Sequence, residues 1–91
     1  MEKVFDWDND KNKKLIKERK ISFEAIVSLI ESGNIIATVT GKGRYAHQKQ
    51  FIVEMNKYIY VVPFVEDEQK IFLKTIIPSR RLTKKFLSGG Q

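Results

Sequence analysis

The sequence predicts an α+β fold, with two N-terminal helices and a C-terminal helix packed on a mainly antiparallel β-meander sheet. Three observations predict it. Apolar residues recur at helical spacing between residues 15 and 30, then at a spacing of two from about residue 35 to residue 77. The apolar segments after residue 35 are separated by short turn signals, which favours consecutive antiparallel strands over crossover units. A length of 91 residues suffices for one hydrophobic core, so a single domain spanning 1–91 is expected.

The elements follow in order. Val4 to Trp7 is a short β-prone stretch. Asp8 offers a helix N-cap, and a Lys-rich helix runs to Arg19 with Leu15 and Ile16 as its buried residues. Ser22 caps a second helix, where Ile21 can staple onto Ile26. Phe23, Ile26, Val27 and Ile30 form its core-facing stripe, and Gly33 stands where a left-handed terminating residue is expected. Strands are expected at Ile35 to Val39, Gln50 to Met55, Tyr58 to Val65 and Lys70 to Ile77. Gly41 to Gln48 is a loop, Asn56-Lys57 a tight hairpin turn, and Glu66 to Gln69 an acidic turn. Pro63 suggests a bulge or an unpaired N–H. Pro78 is expected to stop the last strand, and Ser79 to cap a final helix with Leu82 and Phe86 on its buried side. Residues 88–91 read as a frayed tail.

Composition excludes several function classes. Without cysteine there is neither a disulfide nor a thiolate metal site. A zinc site would have to be completed by carboxylates around the single histidine, an uncommon set, so no metal or other cofactor is expected. The polar, acidic start does not read as a signal peptide. The apolar run Tyr58 to Val65 is too short to span a bilayer. The expectation is a cytoplasmic protein without membrane contact. No phosphate-loop, zinc-protease or serine-triad pattern occurs, and Gly41-Lys42-Gly43 alone is a weak phosphate-loop signal.

Charge is more informative. The net charge is +6. Residues 1–40 carry seven basic and seven acidic side chains; residues 41–91 carry ten and four. From Lys74 onward there are five basic residues and no acidic one. A one-sign segment of this kind fits an anionic partner. Cations are interleaved with aromatic residues: Arg44, Tyr45, His47 and Lys49; Lys57, Tyr58 and Tyr60; then Lys74, Arg80, Arg81, Lys84 and Lys85. Single-stranded RNA is bound by this mixture, with cations on phosphates and aromatic faces under bases.

The segments Phe5-Asp6-Trp7-Asp8, Lys11 and Ile21-Ser22-Phe23-Glu24 resemble the opening of the BrnT-type toxins. Lys70-Ile71-Phe72 and Ile76-Ile77-Pro78-Ser79-Arg80-Arg81 are similar to that family's close. The resemblance covers nearly the whole chain. It implies a RelE-like fold, ribonuclease activity within a type II toxin–antitoxin module, and an acidic or DNA-binding antitoxin that covers the basic face. The chain departs from the family where a His-Gly pair is usual, at Arg19 and Lys20, and where an arginine is common, at Lys49.

On this reading the chain is a metal-independent endoribonuclease, with a non-catalytic nucleic-acid-binding or protein-interaction module as the alternative. Arg80 would stabilise charge at the phosphate, Lys49 and Arg44 would clamp phosphates, and His47 would serve as general acid or base. Tyr58 or Tyr60 would stack a base, with Tyr45, Lys74, Arg81 and Lys84 completing the RNA-binding set.

Overall fold

The computed structural model describes residues 3–41, 43–45 and 48–88, and shows a mixed α+β fold of three helices and a six-stranded sheet. The expected tail therefore lies largely outside the described residues. Strand β1 (Val4–Asp6) precedes α1 (Asn9–Arg19) and α2 (Phe23–Glu31). Then come β2 (Ile35–Thr40), β3 (Lys49–Met55), β4 (Tyr58–Glu66), β5 (Lys70–Leu73) and β6 (Ile77–Pro78), and last α3 (Arg80–Thr83). The sheet order is β1-β5-β4-β3-β2, with β6 also paired to β4. Strands β2 to β5 form the antiparallel meander, while β1 joins β5 in parallel.

Local chemistry sets the helix ends. The Asp8 carboxylate accepts from the N–H groups of Asp10 and Lys11, and Ser22 Oγ accepts from that of Ala25 at 3.1 Å. Ile21 and Ile26 are both buried, as a hydrophobic staple requires. Gly33 follows the cap of α2 at φ +78°, the left-handed conformation glycine adopts without steric cost.

One core lies between the two N-terminal helices and one face of the sheet. Leu15, Phe23 and Ile26 pack there with Phe51 and Val53 of β3, Val62 and Phe64 of β4, and Leu73 of β5. Ile16 was expected inside and is 47% exposed; Asn12 instead is 5% exposed. Asn12 joins the helices. Its Oδ1 accepts from the Phe23 N–H at 2.8 Å, and its Nδ2 donates to Glu24 Oε1 at 2.7 Å. The first N–H groups of a helix lack intrahelical partners, so Asn12 on α1 satisfies one of them on α2. Asn12→Ala leaves that buried N–H unpaired and is expected to cost about 1–3 kcal/mol, read from the denaturant midpoint.

Two lysines stand where glycine would fit better. Lys20 caps α1 at φ 57°, and Lys57 takes φ 62° in the Asn56-Lys57 hairpin turn. Position 20 is one where the resembled family usually has glycine, and its left-handed backbone gives that preference a physical reason. Lys20→Gly and Lys57→Gly should each stabilise the fold by about 0.5–1 kcal/mol, raising Tm by several degrees in thermal melts.

The C-terminal third departs most from expectation. The strand expected from Lys70 to Ile77 is broken after Leu73, and the chain returns to β4 as β6. Pro78 is the last residue of β6, as expected, and pairs there opposite Tyr60, an edge position where the missing N–H is tolerated. Phe86, expected on a buried side, is 47% exposed, because α3 lasts one turn before the winding loosens to a π-helical turn over Lys84–Ser88. Pro63 leaves the β3–β4 register unbroken, and its carbonyl accepts from the Lys74 N–H at 2.8 Å. The sheet face away from α1 and α2 is not wholly open either. Ile52 and Ile59 point that way and are 5% and 0% exposed, near where α3 meets β4.

Candidate nucleic-acid interface

The turn bearing Arg80 and Arg81 is tied to the edge of β4. The Ser79 N–H donates to the Ile59 carbonyl at 2.9 Å, continuing the β6 ladder. The Ile59 N–H donates to Thr83 Oγ1 at 2.9 Å, and the Thr83 hydroxyl donates to the Ser79 carbonyl at 2.7 Å. Ser79 Oγ accepts from the Leu82 N–H at 3.2 Å, the expected N-cap. These bonds fix the backbone on both sides of Arg80 and Arg81, while both side chains are exposed. With only four α-helical residues, α3 has a small dipole, so the guanidinium groups rather than the helix end supply the positive field here.

Tyr58 and Tyr60 lie on β4 beside this turn, and Pro78 pairs opposite Tyr60. The two rings are 5.7 Å apart and inclined at 58°. Tyr60 packs against the core and Tyr58 is half-buried. Lys57, at the adjoining hairpin, is exposed, as are Lys84 and Lys85 after α3. Lys74, between β5 and β6, is also exposed.

A second group sits at the far end of the sheet. The 3-10 turn Gly43–Tyr45 connects β2 toward β3 and carries an exposed Arg44. Lys49 begins β3 opposite Phe64. Ile59 and Phe64 are five residues apart on β4, so Lys49 and the Arg80 turn are separated by about 17 Å along the strand. Lys49 and Arg80 therefore do not converge on one phosphate. Of the three expected groups, Arg44, Tyr45 and Lys49 stand at one end, while Tyr58 and Tyr60 of the hairpin stand with Arg80, Arg81 and Lys84 at the other. His47 and the side chain of Tyr45 lie outside the described residues.

The ion-paired carboxylates Glu66 and Asp6 lie at the Lys49 end, while the exposed Glu54 of β3 stands opposite Ile59, next to the Arg80 turn. Glu66 accepts from Lys49 Nζ at 2.6 Å and from Lys3 Nζ at 2.7 Å, and Lys70 meets Asp6 at 3.5 Å. The two ammonium groups, Lys3 first, hold the Glu66 carboxyl below its ordinary value. Asp67 is lowered as well, by the backbone N–H groups of Gln69 and Lys70. Arg80, Arg81, Lys57 and Lys74 take part in none of these ion pairs. Among the described residues no group of three His, Cys, Asp or Glu side chains is placed to hold a metal ion. Among them, too, no helix is long and apolar enough to cross a membrane.

No family model matches the chain, and no curated protein matches it. Among solved structures it is similar to a mutant of YafQ from E. coli, with 11% sequence identity, 89% of this chain and 98% of that chain covered, and a TM-score of 0.48. A likeness this distant assigns no function.

One set of cations escaped the sequence reading. Lys11, Lys14 and Arg19 on α1 line a cleft that also includes Ile77 and Pro78, directly before the Arg80 turn. Summing charge over residues 1–40 hid them, because the acidic side chains that balance the sum stand mostly elsewhere. Their spacing of three and eight residues from Lys11 places them along one helix face and could have revealed them.

Proposed function

We propose that this chain is a metal-independent endoribonuclease toxin of a type II toxin–antitoxin pair, acting in the cytoplasm to inhibit translation by cutting RNA. The observation that carries the proposal is a set of exposed cations outside the ion pairs. Arg80, Arg81 and Lys57 stay outside the ion pairs that Glu66 and Asp6 form at the opposite end of the sheet, and Lys74, bonded through its backbone N–H to the Pro63 carbonyl between the two ends, stays outside them as well. Exposed cations outside these ion pairs suit a polyanion. The resemblance of Ile76 to Arg81 to the close of the BrnT-type toxins supports the same reading.

In the proposed reaction the RNA 2′-OH gives up its proton to a base and attacks the adjacent phosphate, the P–O5′ bond breaks, and the leaving 5′ oxygen takes up a proton, giving a 2′,3′-cyclic phosphate and a 5′-hydroxyl. Arg80 stabilises the charge that develops on the phosphate oxygens, and Arg81, Lys84 and Lys74 hold the neighbouring backbone. Tyr58 stacks a base, and Tyr60 supports it from the core side. Arg44, Tyr45 and Lys49 contact the strand farther along, since Lys49 stands about 17 Å from the Arg80 turn. His47 is the proposed general acid or base. A DNA-binding antitoxin would cover the cationic end through acidic side chains.

The test is incubation of the purified chain with single-stranded RNA in EDTA. Cleavage is expected, and cleavage that appears only on adding a divalent metal overturns the mechanism. RNA affinity should fall with salt at a log–log slope near −3, for about four phosphate contacts. A flat response would assign the charge to solubility. A second reading, a non-catalytic RNA-binding module, is favoured by one specific observation: Glu66 already engages Lys49, at 2.6 Å. Tight RNA binding without turnover would select it.

A further inference from the structure

We infer that the cleft between α1 and the β5–β6 segment is a binding site for one stretch of single-stranded RNA backbone, leading the strand to Arg80. This rests on the RNA reading above. The cleft has a volume of about 230 Å³. Lys11, Lys14 and Arg19 rise from α1 along one side, against a single carboxylate, Glu18. All three cations are exposed, and none forms an ion pair among the described residues. The remaining lining is mostly apolar, with Thr75 beside it: Leu15 and Ile76 form its buried floor, and Ile77, 46% exposed, and Pro78 supply the accessible apolar surface.

This arrangement matches a nucleotide. Ammonium and guanidinium groups on the rim suit phosphates, and an apolar surface beneath them suits the face of an unpaired base. A duplex keeps its bases stacked and cannot present one there. The position supports the same assignment. Pro78 lines the cleft and is two residues from Arg80, so a strand held by Lys11 and Lys14 is led toward the Arg80 turn. Lys13 and Lys17 lie on the same helix, are equally exposed, and do not line the cleft. They give a control of identical charge.

The experiment measures binding of a fluorescent single-stranded RNA carrying 2′-O-methyl groups, so that cleavage does not intervene. Lys11→Gln with Lys14→Gln is compared with Lys13→Gln plus Lys17→Gln. Both pairs remove two exposed charges, and thermal melts verify that both variants stay folded. The cleft pair is expected to weaken binding by at least about tenfold and to reduce the salt slope by about 1.4, the value for two lost single-strand contacts. The control pair is expected to change affinity less than about threefold. Equal losses from both pairs would reduce the effect to overall charge and overturn the site. A polyglutamate peptide that displaces the RNA at equal concentration, with the same dependence on Lys11 and Lys14, would make the cleft an acidic-peptide site and overturn it too. If the unmodified chain binds no RNA, the RNA reading itself fails, whereas RNA binding insensitive to Lys11 and Lys14 removes only the cleft.

Discussion

Arg80→Ala is expected to lower RNA cleavage by at least about a hundredfold, the scale for losing one transition-state donor, while leaving Tm nearly unchanged. Two features of the structure separate these effects. The side chain is exposed and outside the ion pairs, so stability should change by less than about 0.5 kcal/mol. The backbone around it is held by Ser79, Thr83 and Ile59 whether or not the guanidinium is present. Arg80→Lys should restore only part of the activity, because an ammonium keeps the charge and lacks the bidentate fork. Cleavage rates and thermal melts of the two variants check this together. A large fall in Tm would make Arg80 structural, and cleavage at the unmodified rate would remove it from the site.

The largest stability effect is expected at Phe23. Its side chain is 0% exposed and stacks on Trp7 with ring centroids 5.8 Å apart. It lies where α2, β1 and the sheet meet, and its own N–H is held by Asn12. Phe23→Ala removes the ring and leaves a cavity between elements that cannot fully close. A cost of about 3–5 kcal/mol is expected, a large part of the total stability of a domain this size. At about 4–8 °C per kcal/mol, Tm should fall by at least about 12 °C. Phe23→Leu, which refills much of the volume, should cost clearly less. A loss below about 1 kcal/mol for the alanine variant would mean that α2 repacks freely on the sheet.

Much of the fold was legible because it depends on interactions between near neighbours. Asp8, Ser22 and Ser79 cap helices as their side chains allow, and Gly33 ends α2. The alternation of Phe51, Val53 and Met55 marks the core face of β3 because side chains on a strand alternate between faces. Misreadings occurred where distant groups compete for one residue. Asn12 looked like a surface residue, since its partners, the Phe23 N–H and Glu24, are more than ten positions away. Ile16 then turns outward, because the face of α1 that carries Asn12 and Leu15 is the one packed against the core.

The same division holds for the candidate site. The sequence by itself determined the cationic excess after residue 41, the aromatic residues among it, and the Ser79 cap beside Arg80. Those are properties of composition and of contacts a few residues long. Only the tertiary structure decided which of these residues share a surface. The β4 strand holds Lys49 and Arg80 at opposite ends, at a distance set by the strand rise rather than by sequence separation. The return of β6 to β4 brings Ile77 and Pro78 beside the cationic face of α1, joining segments some sixty residues apart in the chain. Such pairings are fixed by the strand register and by burial of the common core, so charge patterning along the sequence carries no record of them.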